Sequence, residues 1–260
     1  MNPTSERLRN VRVGVVGAGR LGSALARGLA QAGIEVAGPV GRGEAPSGCA
    51  AIVLCVPDGE IRAAATAVHG AAPLVGHTSG ATPLSALDPA GADAFGLHPL
   101  QTFAPGDGPE AFAGAGCAVA GCTPAALAFA ADLARALGMT PFEIDEEGRA
   151  AYHAAASVAS NFLVTLMAAA ERIAAGAGLE PAEARALLMP LVRRTLDNVA
   201  ELGPERALTG PIARGDEATV ARHQEALRRT APELLDLYSA LAERARAMLS
   251  QAADREGDAR

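Results

Sequence analysis

The alanine-rich stretch YHAAASVASNF, residues 152–162, carries His153, Ser157 and Asn161 at four-residue intervals. Steps of four bring helical side chains to nearly one face, so the spacing predicts a polar row on an otherwise apolar helix. Such a row suits the reduction of a carbonyl or imine. Hydride addition builds charge on oxygen or nitrogen, and that charge needs a proton and fixed hydrogen bonds. Histidine, with an ordinary pKa near neutrality, can supply the proton, and an asparagine amide can orient the reacting atom. His98, in GLHPLQTF, is the second histidine placed to be the acid, with Gln101 beside it for substrate. A plainer reading competes. Serine in an Ala-rich helix bonds back to its own backbone, and a histidine near a helix start caps a carbonyl. That reading is weakest for Asn161, because a buried amide needs several partners. Arg214, in LTGPIARGD, sits in a loop stiffened by Gly and Pro. It meets either a substrate carboxylate or an acidic group across a subunit interface.

A redox reading needs a place for the electron donor. GAGRLG follows the β-branched run VRVGVV and precedes a helical segment, so Gly17, Gly19 and Gly22 form GxGxxG between strand and helix. The first glycine permits the turn, the second lets backbone approach a pyrophosphate, and the third lets helix and strand touch. Arg20 and Leu21 lie inside the loop. NAD sites place Asp or Glu at the end of the second strand, whereas this chain has Gly-Pro-Val-Gly-Arg42 there. A carboxylate would repel a ribose phosphate and an arginine fork binds one, so NADP (as NADPH) is expected, with Arg42 as its phosphate ligand. A solvated surface charge is the other reading of Arg42. A deazaflavin in place of the nicotinamide is the other redox group left open. Val56-Pro57-Asp58 and Thr78-Ser79 follow later strands and should line the same crevice, since ligands bind at the carboxyl ends of parallel strands.

The elements that position these residues alternate through the first half. Strands are expected at 11–16, at IEVAG ending near Gly38, and at AAIVLCV, PLVGH, AFGLH, CAVAG and PFEI. Helices fall between most of them. That alternation predicts a parallel sheet covered on both faces. Only about ten residues separate the second and third strands, too few for a full crossover helix. After residue 146 only helical segments follow, near 147–176, 181–202 and 217–250. The chain therefore divides into an α/β domain, 1–146, and an all-α domain, 147–260.

Composition narrows the classes further. The 260 residues carry a net charge of -7, against nucleic acid or an anionic membrane as the main partner. All 22 basic residues are arginine, which removes lysine Schiff-base and P-loop chemistry. Four scattered cysteines, none in a CxxC pair, read as free thiols of a cytoplasmic protein with no metal site. The apolar run 150–170 is broken by polar residues and is expected to be a buried helix rather than a membrane span. His69 and His223 are expected to be surface or structural.

VGAGRLGSALARGLAQAG, VLCVPDGEI, GHTSGA, GLHPLQTF, YHAAASVASNF and LTGPIARGD, in this order, resemble prokaryotic proteins with a Rossmann-like domain followed by the domain of unknown function 2520. The resemblance covers almost the whole chain. It implies an α/β Rossmann domain followed by an all-α domain like the C-terminal domain of 6-phosphogluconate dehydrogenase. It also implies NADP-dependent redox chemistry at the cleft between them and a homodimer built through helices. Relatives in that wider group include ketopantoate reductases, pyrroline-5-carboxylate reductases and prephenate dehydrogenases. In the lysine enzymes of the group a Lys and an Asn lie one turn apart on the long helix. Here Asn161 matches the Asn, and Ser157 stands where the Lys would be. The expected activity is reduction of a small 2-oxo or imino acid, ketopantoate-like first, pyrroline-5-carboxylate-like or prephenate dehydrogenase-like as alternatives. A non-catalytic NADP-binding sensor or assembly protein is the reading from another class.

Overall fold

The computed structural model describes Leu8, residues 10–41 and residues 43–258. Arg42, the expected phosphate ligand, lies outside the described residues. Contacts divide the chain into two compact units, Met1–Ser160 and Asn161–Arg260.

The first unit is a seven-stranded sheet in the order β2-β1-β3-β4-β5-β6-β7. Its strands are β1 (Arg12–Val16), β2 (Glu35–Val40), β3 (Ala51–Leu54), β4 (Leu74–His77), β5 (Asp93–Leu100), β6 (Gly116–Gly121) and β7 (Thr140–Glu143). Its helices are α1 (Arg20–Gln31), α2 (Ile61–Ala67), α3 (Pro124–Ala136) and α4 (Arg149–Ala159). Alternation along the buried strands sends side chains to two layers. Ala51 and Val53 join Val13, Val15, Leu25, Leu29 and Leu133 on one face. Ile52 and Leu54 join Ile61, Val75 and Leu87 on the other. That second face is covered by the short α2 and a 3-10 segment, Leu84–Ala90.

Three expectations are corrected here. The second strand runs past Gly38 to Val40; it is an edge strand, where Pro39 removes no needed ladder bond. The sheet is not wholly parallel, since β6 pairs antiparallel with β5. Between those two strands only a 3-10 turn, Pro109–Phe112, is formed, so no crossover helix carries the chain back for a parallel return. The helix predicted over 147–176 is broken at Ser160. The first part, α4, is compact with the sheet, which puts the division by contacts later than residue 146.

The second unit holds α5 (Asn161–Ala175), α6 (Pro181–Leu202), two one-turn helices, α7 (Pro204–Ala207) and α8 (Gly210–Ala213), and the longer α9 (Glu217–Thr230) and α10 (Leu235–Asp258). Pro181 opens α6, where its missing N–H costs nothing. Arg185 forms two bonds with the Glu171 carboxylate, 2.7 and 2.8 Å, tying α6 to α5. Among the described residues, the buried apolar side chains of this unit are only Ala184, Val220, Leu227, Ala231 and Ala242. α5 has no buried residue at all. The stretch Arg149–Ala175 is long and apolar enough to cross a membrane, and none of its apolar window is buried. The expectation of a buried helix is therefore overturned within one chain: Phe162, Val164 and Leu166 face out.

Candidate active site

Strand register brings the first unit's candidate residues to one edge. Val16 pairs with Leu54, Leu54 with His77, and His77 with Gly96. Gly17, Cys55, Thr78 and the Leu97–His98 step therefore follow one another across four adjacent strands. The chain leaves β1 for β2 and then returns to β3 on the other side of β1. This is the switch point at which open α/β sheets form their ligand crevice.

The glycine turn lies at that switch. Gly17 has φ +104, and a Cβ there would stand 2.2 Å from the Cys55 carbonyl oxygen. A Cβ on Gly22 would stand 1.9 Å from the carbonyl oxygen of Gly17. Both glycines are thus required by the protein's own backbone. Gly19 is different, because a Cβ there would meet nothing within 4 Å. Gly19 is also the N-cap of α1, with no side chain capping the first-turn N–H groups and no acidic residue among them. Those groups, with Arg20 and Leu21 in the first turn, suit an anion such as a pyrophosphate. Val56, Pro57 and Asp58 lead from β3 into a 3-10 turn over Asp58–Glu60. Asp58 is exposed, and its charge acts on His77 and His98 farther along the edge.

The second cluster is built from β4, β5 and α4. His77 is the last residue of β4, and it is fully buried. The backbone N–H of Ser79 donates to its Nδ1 at 3.2 Å, so the ring proton sits on Nε2, which is buried without a hydrogen-bond partner. Burial, helped by the Arg149 charge, pulls its pKa down to about 4, against the opposing pull of the Pro83 carbonyl and Asp58. His98 lies within β5. Its Nδ1 is 2.6 Å from the Tyr152 hydroxyl, and the two rings meet edge to face. Burial first, and then His153, hold His98 down to about 4 as well. A histidine poised near neutrality was expected here. The structure instead makes His98 a neutral imidazole across the physiological range.

His153 projects from α4 toward His98, with ring centroids 6.0 Å apart, and its Nδ1 is buried with no partner. Between the two rings lies Gly80. A Cβ at Gly80 would be 2.9 Å from His98 Nε2 and 2.8 Å from His153 Nδ1. The two imidazoles therefore close over the Gly80 Cα, and any side chain there would displace them. Arg149, 6% exposed, stands at the start of α4; its Nε has no hydrogen bond, and Glu146 lies 3.5 Å away as its ion-pair partner.

Several expected residues play other parts. Ser79 Oγ donates to Thr82 Oγ1 and accepts from the N–H groups of Ala81 and Thr82. These three bonds use its hydroxyl in shaping the bend at Gly80. Thr78 is buried and donates to the Leu54 carbonyl at 3.5 Å. Gln101 is exposed, and its side-chain oxygen accepts from the Thr102 N–H. Ser157 follows His153 by one turn and is half-buried. Asn161 is the first residue of α5 in the second unit, so the predicted row is not continuous on one helix. Arg214, also in the second unit, is exposed just after α8, close enough to stabilise the Asp216 carboxylate. The four cysteines are free, and no cluster of three metal-ligating side chains occurs among the described residues. Tyr152, Arg149 and Gly80 were not singled out from sequence. The chain has only two tyrosines, and one of them immediately precedes His153, which was the available signal.

The family model of the domain of unknown function DUF2520 matches residues 115–245, half of the chain. The chain belongs to the DUF2520 family. No curated protein matches it. Among solved structures it is similar to a candidate NADP oxidoreductase of Bacteroides fragilis, at 22% identity and a TM-score of 0.77, covering 91% of this chain and 98% of that one. It is also similar to a pyrroline carboxylate reductase of Plasmodium falciparum with NADP bound, at 15% identity and a TM-score of 0.60, covering 93% and 99%. A reductive aminase of Aspergillus terreus, in complex with NADPH and ethyl-5-oxohexanoate, gives 16% and 0.59, covering 90% and 93%. These likenesses establish the fold of this DUF2520 chain: a Rossmann-like sheet followed by helices.

Proposed function

We propose that this DUF2520 protein is an NADP-dependent oxidoreductase that reduces the C=O or C=N bond of a small 2-oxo or imino acid. The observation that carries the reading is the convergence of His98 and His153 over Gly80, on the sheet edge that begins at the glycine turn. The backbone of Gly17–Gly22 and the open approach at Gly19 suit the pyrophosphate, and Arg42 follows β2 where a ribose phosphate would be met. When bound, NADPH supplies a hydride to the substrate carbon. His98 and His153 hold the atom on which charge develops, and Arg149 adds positive charge nearby that favours an acid as substrate. A ketopantoate-type oxo acid is the lead substrate. A pyrroline-5-carboxylate-type imine is the second reading, favoured by the similarity to a pyrroline carboxylate reductase and to a reductive aminase.

The functional unit is a homodimer. Leu187, Leu191, Val199 and Leu202 recur along α6 at helical spacing, all more than a third exposed, beside Phe162 and Leu166 of α5. A unit with so few buried side chains gains most from a second copy of the same face. Four free thiols agree with a cytoplasmic home.

The test is loss of NADPH absorbance across a panel of 2-oxo acids and cyclic imino acids. Turnover is expected with at least one of them, and Arg42→Ala should weaken NADPH far more than NADH. Equal losses for both coenzymes would contradict the NADP assignment. Tight NADPH binding with no turnover on the whole panel would favour the sensor.

A further inference from the structure

We propose that Tyr152 feeds the proton consumed in the reduction, acting through His98, which it holds as the Nε2–H tautomer. The inference rests on the oxidoreductase reading above, and it concerns a residue that reading does not require.

The geometry comes from three elements. His98 projects from β5, Tyr152 from the first turn of α4, and Gly80 from the bend after β4. The Tyr152 hydroxyl and His98 Nδ1 are 2.6 Å apart, the short distance of a strong hydrogen bond. The hydroxyl has no second partner among the described residues. If Nδ1 carried the ring proton, the phenolic hydrogen would have no acceptor there. With the phenol donating to Nδ1, both groups are satisfied, and the ring hydrogen is left on Nε2. That nitrogen lies on the ring edge turned toward Gly80 and His153. Phe142 packs edge-on against Tyr152, 5.8 Å between centroids, and fixes the phenol in place.

This arrangement settles a difficulty of charge. His98 is neutral at pH 7, so Nε2–H could give up its proton alone only by leaving an imidazolate. The relay avoids that. As the carbon is reduced, the C=O electron pair moves onto oxygen, and the Nε2–H bond breaks toward that oxygen. Its electron pair stays on Nε2 while Nδ1 takes the phenolic proton, so the ring remains neutral and emerges as the Nδ1–H tautomer. The phenolate regains a proton from water, and the ring resets when the product leaves. Carbon gains a hydride, oxygen gains one proton, and water supplies the balance. Burial and the neighbouring Cys117 raise the phenol to about 12. It is still more acidic than an alcohol, so the transfer runs downhill. The charged and titratable groups facing the pair are His77, His153, Asp58 and Arg149 around His98, and Cys117 and Arg149 around Tyr152.

The test joins a spectrum to kinetics. Long-range 1H–15N correlation of the imidazoles should show His98 at pH 7 as a single Nε2–H tautomer in the wild type and as a mixture in Tyr152→Phe. With the best acid from the panel, Tyr152→Phe should lower kcat roughly 100-fold, the usual worth of a positioned proton donor. KM and the NADPH Kd should stay within about threefold, and the solvent deuterium isotope effect should change. Tyr238→Phe serves as the control, because Tyr238 makes the same kind of contact with the exposed His223, 2.9 Å, in the second unit. It should leave kcat unaltered. An Nδ1–H tautomer in the wild type overturns the relay, and so does an active Tyr152→Phe enzyme with wild-type kcat. Wild-type protein that binds NADPH yet reduces nothing on the panel overturns the oxidoreductase reading instead, and the relay chemistry falls with it.

Discussion

Gly80→Ala adds one methyl group at the point on which two imidazoles converge. Its Cβ would lie 2.7 Å from His98 Cε1, 2.9 Å from His98 Nε2 and 2.8 Å from His153 Nδ1. Comfortable contact needs about 3.5–4.0 Å, so the rings must retreat by roughly 1 Å. His98 resists through its bond to Tyr152, and His153 is carried by α4. A misplacement of about 1 Å at a reacting centre costs on the order of 100-fold in rate. The cost in stability is smaller. Overpacking costs about 1–3 kcal/mol, and replacing a glycine that has no positive φ returns about 0.4–1 kcal/mol through the unfolded chain. The net loss of about 2.6 kcal/mol or less lowers Tm by roughly 10 °C at most. Three measurements separate these effects: kcat from NADPH absorbance with the best acid, NADPH Kd from fluorescence, and Tm from calorimetry. The expected result is a kcat lowered about 100-fold with the Kd within about threefold. A Gly80→Ala enzyme that keeps wild-type kcat refutes the His98–His153 pair as the reaction site, as does one whose NADPH affinity falls in step with its rate.

The glycine turn separates into two behaviours. Gly22→Ala drives a Cβ to 1.9 Å from a backbone oxygen and should fail to fold stably, whereas Gly19→Ala meets no protein atom and should keep its Tm while losing NADPH affinity; calorimetry and fluorescence titration distinguish them. The buried His77 makes stability fall in acid. Its folded pKa of about 4 lies below the ordinary 6.5, so the unfolded chain binds the extra proton in that window. The stabilisation is full above about pH 6.5 and is lost as the pH falls toward 4, on the order of 3 kcal/mol in all. His77→Asn should remove about half of that acid arm in urea midpoints measured between pH 7.5 and 4.5, because His98, also held at about 4, keeps its own share. Leu191→Arg, on the exposed stripe of α6, should convert the dimer to monomer in light scattering, and a wild type that is monomeric at micromolar concentration would remove the proposed interface.

The glycine turn and the strand pattern were legible because their causes are local. A turn between a β-branched run and a helix needs glycine where the backbone crowds itself, and alternating burial follows from the two-residue period of a strand. The break at Ser160 was hidden for the opposite reason. Residues 150–156 before it and 163–170 after it keep helix propensity high, so the Ser160-Asn161 pair, a cap-forming dipeptide, was outweighed and the row from His153 to Asn161 read as continuous. Nor does the run itself say whether its apolar face is buried, which depends on what packs against it.

The histidine cluster was only half visible. Scanning one helix face selects residues four apart, and Tyr152, one residue from His153, points about a quarter-turn away and drops out. It meets His98 because β5 and α4, more than fifty residues apart in the chain, are brought side by side. The same packing buries His77 and His98 and strips them of charge, which a reference pKa could not foretell. The chain by itself thus determined the sheet, the phosphate turn and the kinds of side chain available for redox chemistry. Which of those side chains face one another, and in what protonation state, was decided by tertiary packing. Desolvation and hydrogen-bond geometry depend on neighbours that lie far away along the sequence.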